Sequence, residues 1–259
     1  MRGGAKKESS MDESAIELGA IDSSLKGLSR LDNPAKWARL MNLKGIVLTN
    51  LQRYEEAAAA FTEALKLEDQ AFKSKVYLNF AKIFFFTRDT KRALELLTRL
   101  FENSKAVKRF PEEILGYAHL LRGQIYNISK DEKLSLSEFR KAEYFFEVGV
   151  NPMGVGLACL EIARVHIKNE SLSVAWNFLR KSELFLNKLG EEEKLGVYIC
   201  KAVALYYSGK GDEAIELLKG VYDTHSGSAM GKGLHTIDEI IDAYLDTRSR
   251  MLQYQKALI

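Results

Sequence analysis

The chain has 259 residues, of which 46% are hydrophobic and 28% charged, enough apolar material for one large domain or two small ones. Its 38 basic and 35 acidic residues leave a formal charge of +3. No run of five or six basic residues occurs, which argues against a nucleic-acid partner. No run of 18 apolar residues occurs either, so no membrane-spanning helix is expected.

Residues 1–11 are polar and carry no apolar stretch after their positive charges, so they read as a disordered segment and not as a secretory signal. Residues 12–32 place Ile21, Leu25 and Leu28 on one helical face with Leu18 beside them, the pattern of an amphipathic capping helix. Residues 33–225 hold a pattern that recurs five times. A small residue is followed after twelve positions by an alanine-like residue, after four more by an apolar residue, and after three more by another. The copies are Gly45, Ala57, Phe61, Ala64; then Ala81, Ala93, Leu97, Leu100; then Gly123, Ser135, Phe139, Ala142; then Ala163, Ala175, Leu179, Ser182; then Ala202, Ala214, Leu218, Val221.

This spacing puts a small anchor in the middle of a first helix and a second small residue on the helix that follows, so two antiparallel helices can approach closely. A bulky residue lies three positions after each anchor (Leu48, Phe84, Tyr126, His166, Leu205), where it fills the adjoining groove. Short polar connections such as Thr87-Arg88-Asp89 and Ser129-Lys130-Asp131 separate the two helices. Asn33-Pro34 and Asn151-Pro152 combine a capping Asn with a Pro at the first helical position, and Phe110-Pro111-Glu112-Glu113 opens another helix. Residues 226–233 read as a flexible linker, because the Gly-rich stretch from Gly227 to Gly233 lacks the spacing and the preceding strand of a phosphate-binding loop. Residues 234–259, with Ile237, Ile240, Ile241, Tyr244, Met251 and Leu252, read as a C-terminal closing helix and a possible route to a homo-oligomer.

The stretches Gln52-Arg53-Tyr54-Glu55-Glu56-Ala57 with Phe61-Thr62-Glu63-Ala64-Leu65, and Gly209 through Leu218, resemble the second-helix signature of tetratricopeptide (TPR) repeats. The resemblance implies an all-α fold, a right-handed superhelical solenoid of antiparallel helix pairs. The anchors here step by 36, 42, 40 and 39 residues, against about 34 in the family. Longer repeats of this kind resemble those of bacterial peptide-sensing regulators and of eukaryotic polarity scaffolds.

The two cysteines, Cys159 and Cys200, form no Cys-x-x-Cys pair, and the four histidines have no ligand or base at catalytic spacing. No metal, no cofactor and no catalytic group is expected, and two reduced thiols suit the cytoplasm. In a TPR-like stack the first helices line the concave wall. Their wall positions include Asn42, Asn79, Gln124 and Asn127, amides able to pair with an extended peptide backbone. Lys82, Arg164 and Lys168 suit an acidic side chain or a terminal carboxylate, and Phe86 and Tyr207 suit apolar side chains. The carboxylate clamp of heat-shock co-chaperones is matched at Asn79 alone, since its other places hold Asn42, Ile46, Tyr117 and Leu121. The expected function is therefore a protein- or peptide-binding module, as a scaffold or a signalling sensor. The alternatives are a structural subunit of a stable complex and a helical-repeat RNA binder, and the near-neutral charge disfavours the second.

Overall fold

The computed structural model describes residues 2–28, 30–186 and 191–225. The Gly-rich linker and the closing helix expected after residue 225 lie outside the described residues. Among those described, the secondary structure is helical, with no strand. Helix α1 (Arg2–Lys26) precedes five helix pairs. These are α2 (Pro34–Asn50) with α3 (Tyr54–Ala64), α4 (Gln70–Phe86) with α5 (Thr90–Ala106), α6 (Glu112–Ile128) with α7 (Glu132–Val148), α8 (Pro152–Lys168) with α9 (Leu172–Leu186), and α10 (Glu191–Tyr207) with α11 (Gly211–His225). The chain divides into two compact units, residues 1–114 and 115–259; the first holds α1, two pairs and the first turn of α6, and the second holds the rest of α6 through α11. The all-α architecture of consecutive helix pairs is the one expected from the repeat.

Helix starts follow the sequence signals. Asn33 and Asn151 accept from the Lys36 and Gly154 N–H groups, each with Pro in the first turn, and Asp69, Asp89 and Asp131 cap α4, α5 and α7 in the same way. α1 begins at Arg2, where the sequence reading placed a disordered segment through residue 11. Ala5, Lys6, Lys7, Glu8 and Met11 are good helix formers, and no proline interrupts them.

The turn inside each pair is built one way. The residue seven positions after the anchor has positive φ: Gln52, Arg88, Lys130, Glu170 and Gly209. The next N–H reaches back to the carbonyl of the bulky residue three after the anchor, as in Arg53 to Leu48 (2.9 Å), Asp89 to Phe84 (2.8 Å) and Lys210 to Leu205 (3.0 Å). This is the six-to-one bond of a Schellman closure, and it occupies a carbonyl that the helix end leaves open. A sixth closure, with Val150 at φ 53° and Asn151 donating to the Phe146 carbonyl at 2.8 Å, joins α7 to α8. Asp89, Asp131 and Asn151 thus close one helix by their N–H and cap the next by their side chain. Of the bulky residues expected to fill the groove, Leu48 is buried, while Phe84, Tyr126, His166 and Leu205 are half-buried.

The repeat residues form the core. Ala57, Phe61, Ala64, Ala81, Ala93, Leu97, Leu100, Ser135, Phe139, Ala142, Ala163, Ala175, Leu179, Ser182, Ala202 and Ala214 are buried. The anchors are small because rings cover them. A Cβ on Gly45 would lie 2.6 Å from Phe61, and one on Gly123 would lie 2.6 Å from Phe139. Phe146 sits between two first helices, 2.6 Å from a Cβ built on Gly116 and 2.3 Å from one on Gly154. In the first unit Leu18 and Ile21 of α1 join Val47, Leu48, Ala57, Phe61 and Val76 in one cluster, with Leu25 packed against it. In the second unit Leu160, Ala163, Leu179, Leu195, Ile199 and Val203 form another.

Candidate functional site

In the first unit α2 and α4 meet through their polar residues. Asn79 Nδ2 donates to Asn42 Oδ1 at 3.2 Å, and Lys82 Nζ donates to Asn79 Oδ1 at 3.2 Å. The two asparagines are buried and Lys82 is half-buried. Three of the predicted binding residues therefore come together as one chain of hydrogen bonds. Phe86, one turn further along α4, is half-buried and stacks on Tyr54 with centroids 6.4 Å apart.

The electrostatics of this helix pair are one-sided. α2 carries Lys36, Arg39 and Lys44, α4 carries Lys73, Lys75 and Lys82, and neither contains an acidic residue. Lys44 pairs with Asp22 at 2.6 Å and Lys73 with Glu68 at 2.9 Å. Lys82 has no carboxylate within ion-pair reach among the described residues. Burial, and after it the charge of Lys75, lower its pKa to about 7.

In the second unit the predicted residues are engaged differently. Arg164, 1% exposed, donates to Glu161 Oε1 at 2.8 Å, and Gln124 Nε2 donates to the same oxygen at 3.2 Å. This pairing bears on the expected role of Arg164 as an anion receptor, because a buried guanidinium bonded to a buried carboxylate offers little net charge to a ligand. Gln124 and Asn127 are buried, and Lys168 donates to Asn127 Oδ1 at 3.4 Å. Tyr207 is 46% exposed and meets Tyr206 edge-on at 6.0 Å.

A second cluster in this unit was not foreseen. Buried Glu138 accepts from Arg122 Nε (2.6 Å) and Lys141 Nζ (2.8 Å), and lies 2.7 Å from His119 Nδ1. Burial alone would raise its pKa, but these three partners together hold it down to about 2. His119, stacked on Phe145 with centroids 5.2 Å apart, has its pKa lowered by burial against the opposing pull of Glu138. Beside it Lys181 bonds Glu143 at 2.6 Å and Glu147 at 2.7 Å, and burial pushes the Cys159 thiol up. The one signal in the sequence was the i, i+3 spacing of Glu138 with Lys141 and of Arg140 with Glu143. Both cysteines are buried free thiols. No described helix is long and apolar enough to cross a membrane.

The tetratricopeptide-repeat family model matches residues 38–70, which span most of α2, all of α3 and the first residue of α4. Among curated proteins none matches the chain significantly. Solved structures share its fold, two of them as follows. BtubC (BKLC) from P. vanneervenii superposes with a TM-score of 0.65 at 10% identity, over 89% of this chain and 94% of its own. Aspartyl phosphate phosphatase F from Bacillus subtilis superposes with a TM-score of 0.62 at 18% identity, over 88% of this chain and 66% of its own. Residues 38–70 thus match a tetratricopeptide repeat, and the five helix pairs with these two likenesses give the chain a TPR-like helical-repeat fold.

Proposed function

We propose that this protein works by binding another protein or a peptide, and that the α2–α4 face of its first unit takes an acidic segment of that partner. The observation that carries the reading is Lys82, a half-buried ammonium whose hydrogen bond goes to a neutral amide, on a helix pair that contains no acid. A cation taken out of water without a counter-charge is costly, and an arriving carboxylate repays that cost. Asn42 and Asn79 hold Lys82 in place, and exposed Arg39 and Lys75 add charge to the same helices. Phe86 and Tyr54 offer rings to an apolar neighbour of the acidic residue. TPR-type folds commonly serve as protein-interaction scaffolds, which agrees with a binding role rather than a catalytic one. The two free thiols fit a reducing compartment such as the cytoplasm.

Fluorescence anisotropy with labelled ten-residue peptides of graded charge tests this. The acidic peptides bind the wild type and weaken with added salt, while Lys82→Met and Lys75→Ala each lose about tenfold in affinity. Circular dichroism checks that the variants remain helical. Equal binding by the wild type and both variants overturns the assignment of the face. The same titration with a single-stranded RNA separates the helical-repeat RNA reading, and a partner that copurifies in fixed ratio separates the structural-subunit reading.

A further inference from the structure

The outer face of the third and fourth copies carries apolar residues that the repeat does not ask for. Twenty-one positions after the anchor, the five copies hold Lys66, Glu102, Tyr144, Leu184 and Asp223. A place filled by charged residues in three copies needs no apolar group for packing. Tyr144 on α7 is nonetheless 59% exposed, Leu184 on α9 is 66% exposed, and Val148, one turn beyond Tyr144, is 49% exposed. α7 and α9 lie side by side within the second unit. Lys181 of α9 reaches Glu143 and Glu147 of α7 at 2.6 and 2.7 Å, and Arg140 of α7 covers the Phe178 ring of α9 at 4.2 Å. Tyr144, Val148 and Leu184 therefore flank one charged seam instead of lying scattered, and apolar groups ringed by charge are the make-up of a protein interface.

The charges on α7 say what that interface meets. Ser135, Phe139, Ala142 and Phe146 are its buried side, which puts Tyr144 in the middle of the outward side. Lys141 stands three positions before Tyr144 and Glu147 three positions after it. Each is half exposed. Lys141 gives one N–H to Glu138, and Glu147 accepts one bond from Lys181, so each keeps capacity for a further partner.

We infer that the protein forms a two-fold dimer through this face, with α7 of one copy antiparallel to α7 of a second and the two Tyr144 rings at the axis. A two-fold contact is self-complementary, so that if residue i meets j, then j meets i. An antiparallel crossing at Tyr144 sets Lys141 against Glu147 of the second copy, and Glu147 against Lys141 of the second copy. A parallel crossing sets lysine against lysine, and a partner of one charge sign matches only half of the stripe. Val148 and Leu184 widen the apolar part of the contact. The face lies in the second unit and uses no residue of α2 or α4, so the dimer is independent of the acidic-segment reading.

Sedimentation of the full chain from low to high micromolar concentration tests this, and a monomer gives way to a dimer. Tyr144→Asp weakens the dimer about tenfold or more, with an unchanged circular dichroism spectrum because the side chain is exposed. Lys141→Glu and Glu147→Lys each weaken it as well, since each variant meets its own like charge. An equimolar mixture of these two variants dimerises again, because every charge then faces its opposite. A monomer at every concentration, a dimer that Tyr144→Asp leaves intact, or a mixture no better than either variant alone overturns the inference. Hydroxyl-radical footprinting of Tyr144 identifies the occupant. Protection that rises with concentration supports a second copy. Protection that does not change with concentration assigns the face to another part of the same chain, and full reactivity at every concentration leaves it for a different protein; both overturn the dimer.

Discussion

Val150 is a β-branched residue at φ 53°, 84% exposed, in the closure that joins α7 to α8. The left-handed conformation brings its Cβ against the following backbone, and its exposed side chain gains no packing in return. Val150→Gly therefore raises stability by about 1 kcal/mol, after allowing for the extra freedom glycine has in the unfolded chain, as read by the midpoint of urea unfolding. A second residue-scale contrast lies in the repeat. The place held by Ala57, Ala93, Ala175 and Ala214 is taken in the third copy by Ser135, whose buried hydroxyl has no hydrogen-bond partner. Ser182, equally buried, donates to the Gly156 carbonyl at 2.8 Å. Ser135→Ala gains about 1 kcal/mol and Ser182→Ala loses about 1 kcal/mol by the same unfolding assay. The sequence showed both serines standing where other copies hold apolar residues, and only the positions of neighbouring carbonyls separate them.

At the scale of the helix pair, the small anchors were legible as a need for close approach, because Gly45 and Gly123 recur in register with Phe61 and Phe139 sixteen residues on. The structure supplies the object that approaches, which is the ring itself, 2.6 Å from where a Cβ would stand. Alanine in a helix interior gains nearly 1 kcal/mol over glycine from propensity, but here the clash outweighs it. Gly123→Ala is expected to destabilise by about 1 to 3 kcal/mol. Gly19→Ala on α1, where a Cβ meets nothing within 4 Å, stabilises by up to about 1 kcal/mol. If both substitutions move the thermal midpoint upward, the ring contact is not what keeps the anchor small. The double role of Gly116 and Gly154 around Phe146 was not legible, because that ring lies outside the repeated pattern and packs on two first helices at once.

At the scale of the whole molecule, Glu138, His119 and Lys82 each make stability depend on pH with the same sign. Glu138 titrates near 2 in the folded chain, below the usual 4.5, so its contribution is full above about pH 4.5 and is lost as pH falls toward 2. His119, with its pKa lowered, resists the proton that the unfolded chain accepts near 6.5, which removes stability as pH falls below that value. Lys82 is lowered from 10.5 to about 7, so the unfolded chain holds more protons between those values and stability rises with pH across them. Glu138→Gln flattens the acid limb and costs up to about 3 kcal/mol near neutrality, because His119, Arg122 and Lys141 lose their shared carboxylate. Lys82→Met flattens the alkaline limb. Urea midpoints measured across pH check both, and a variant whose profile runs parallel to the wild type removes that group from the account.

Sequence alone determined the helical class, the five-fold register of small and apolar positions, and the capped helix starts. These depend on local spacing, on residues one or two turns apart, and on side chains that bond their own backbone. Only the tertiary structure decided which polar residues bond one another. Asn42 meets Asn79 across 37 positions, as does Gln124 with Glu161, and no local rule relates such residues. It also decided that Arg164 is paired with a carboxylate while Lys82 bonds a neutral amide, because which partner a cation finds depends on the groups that packing brings within reach.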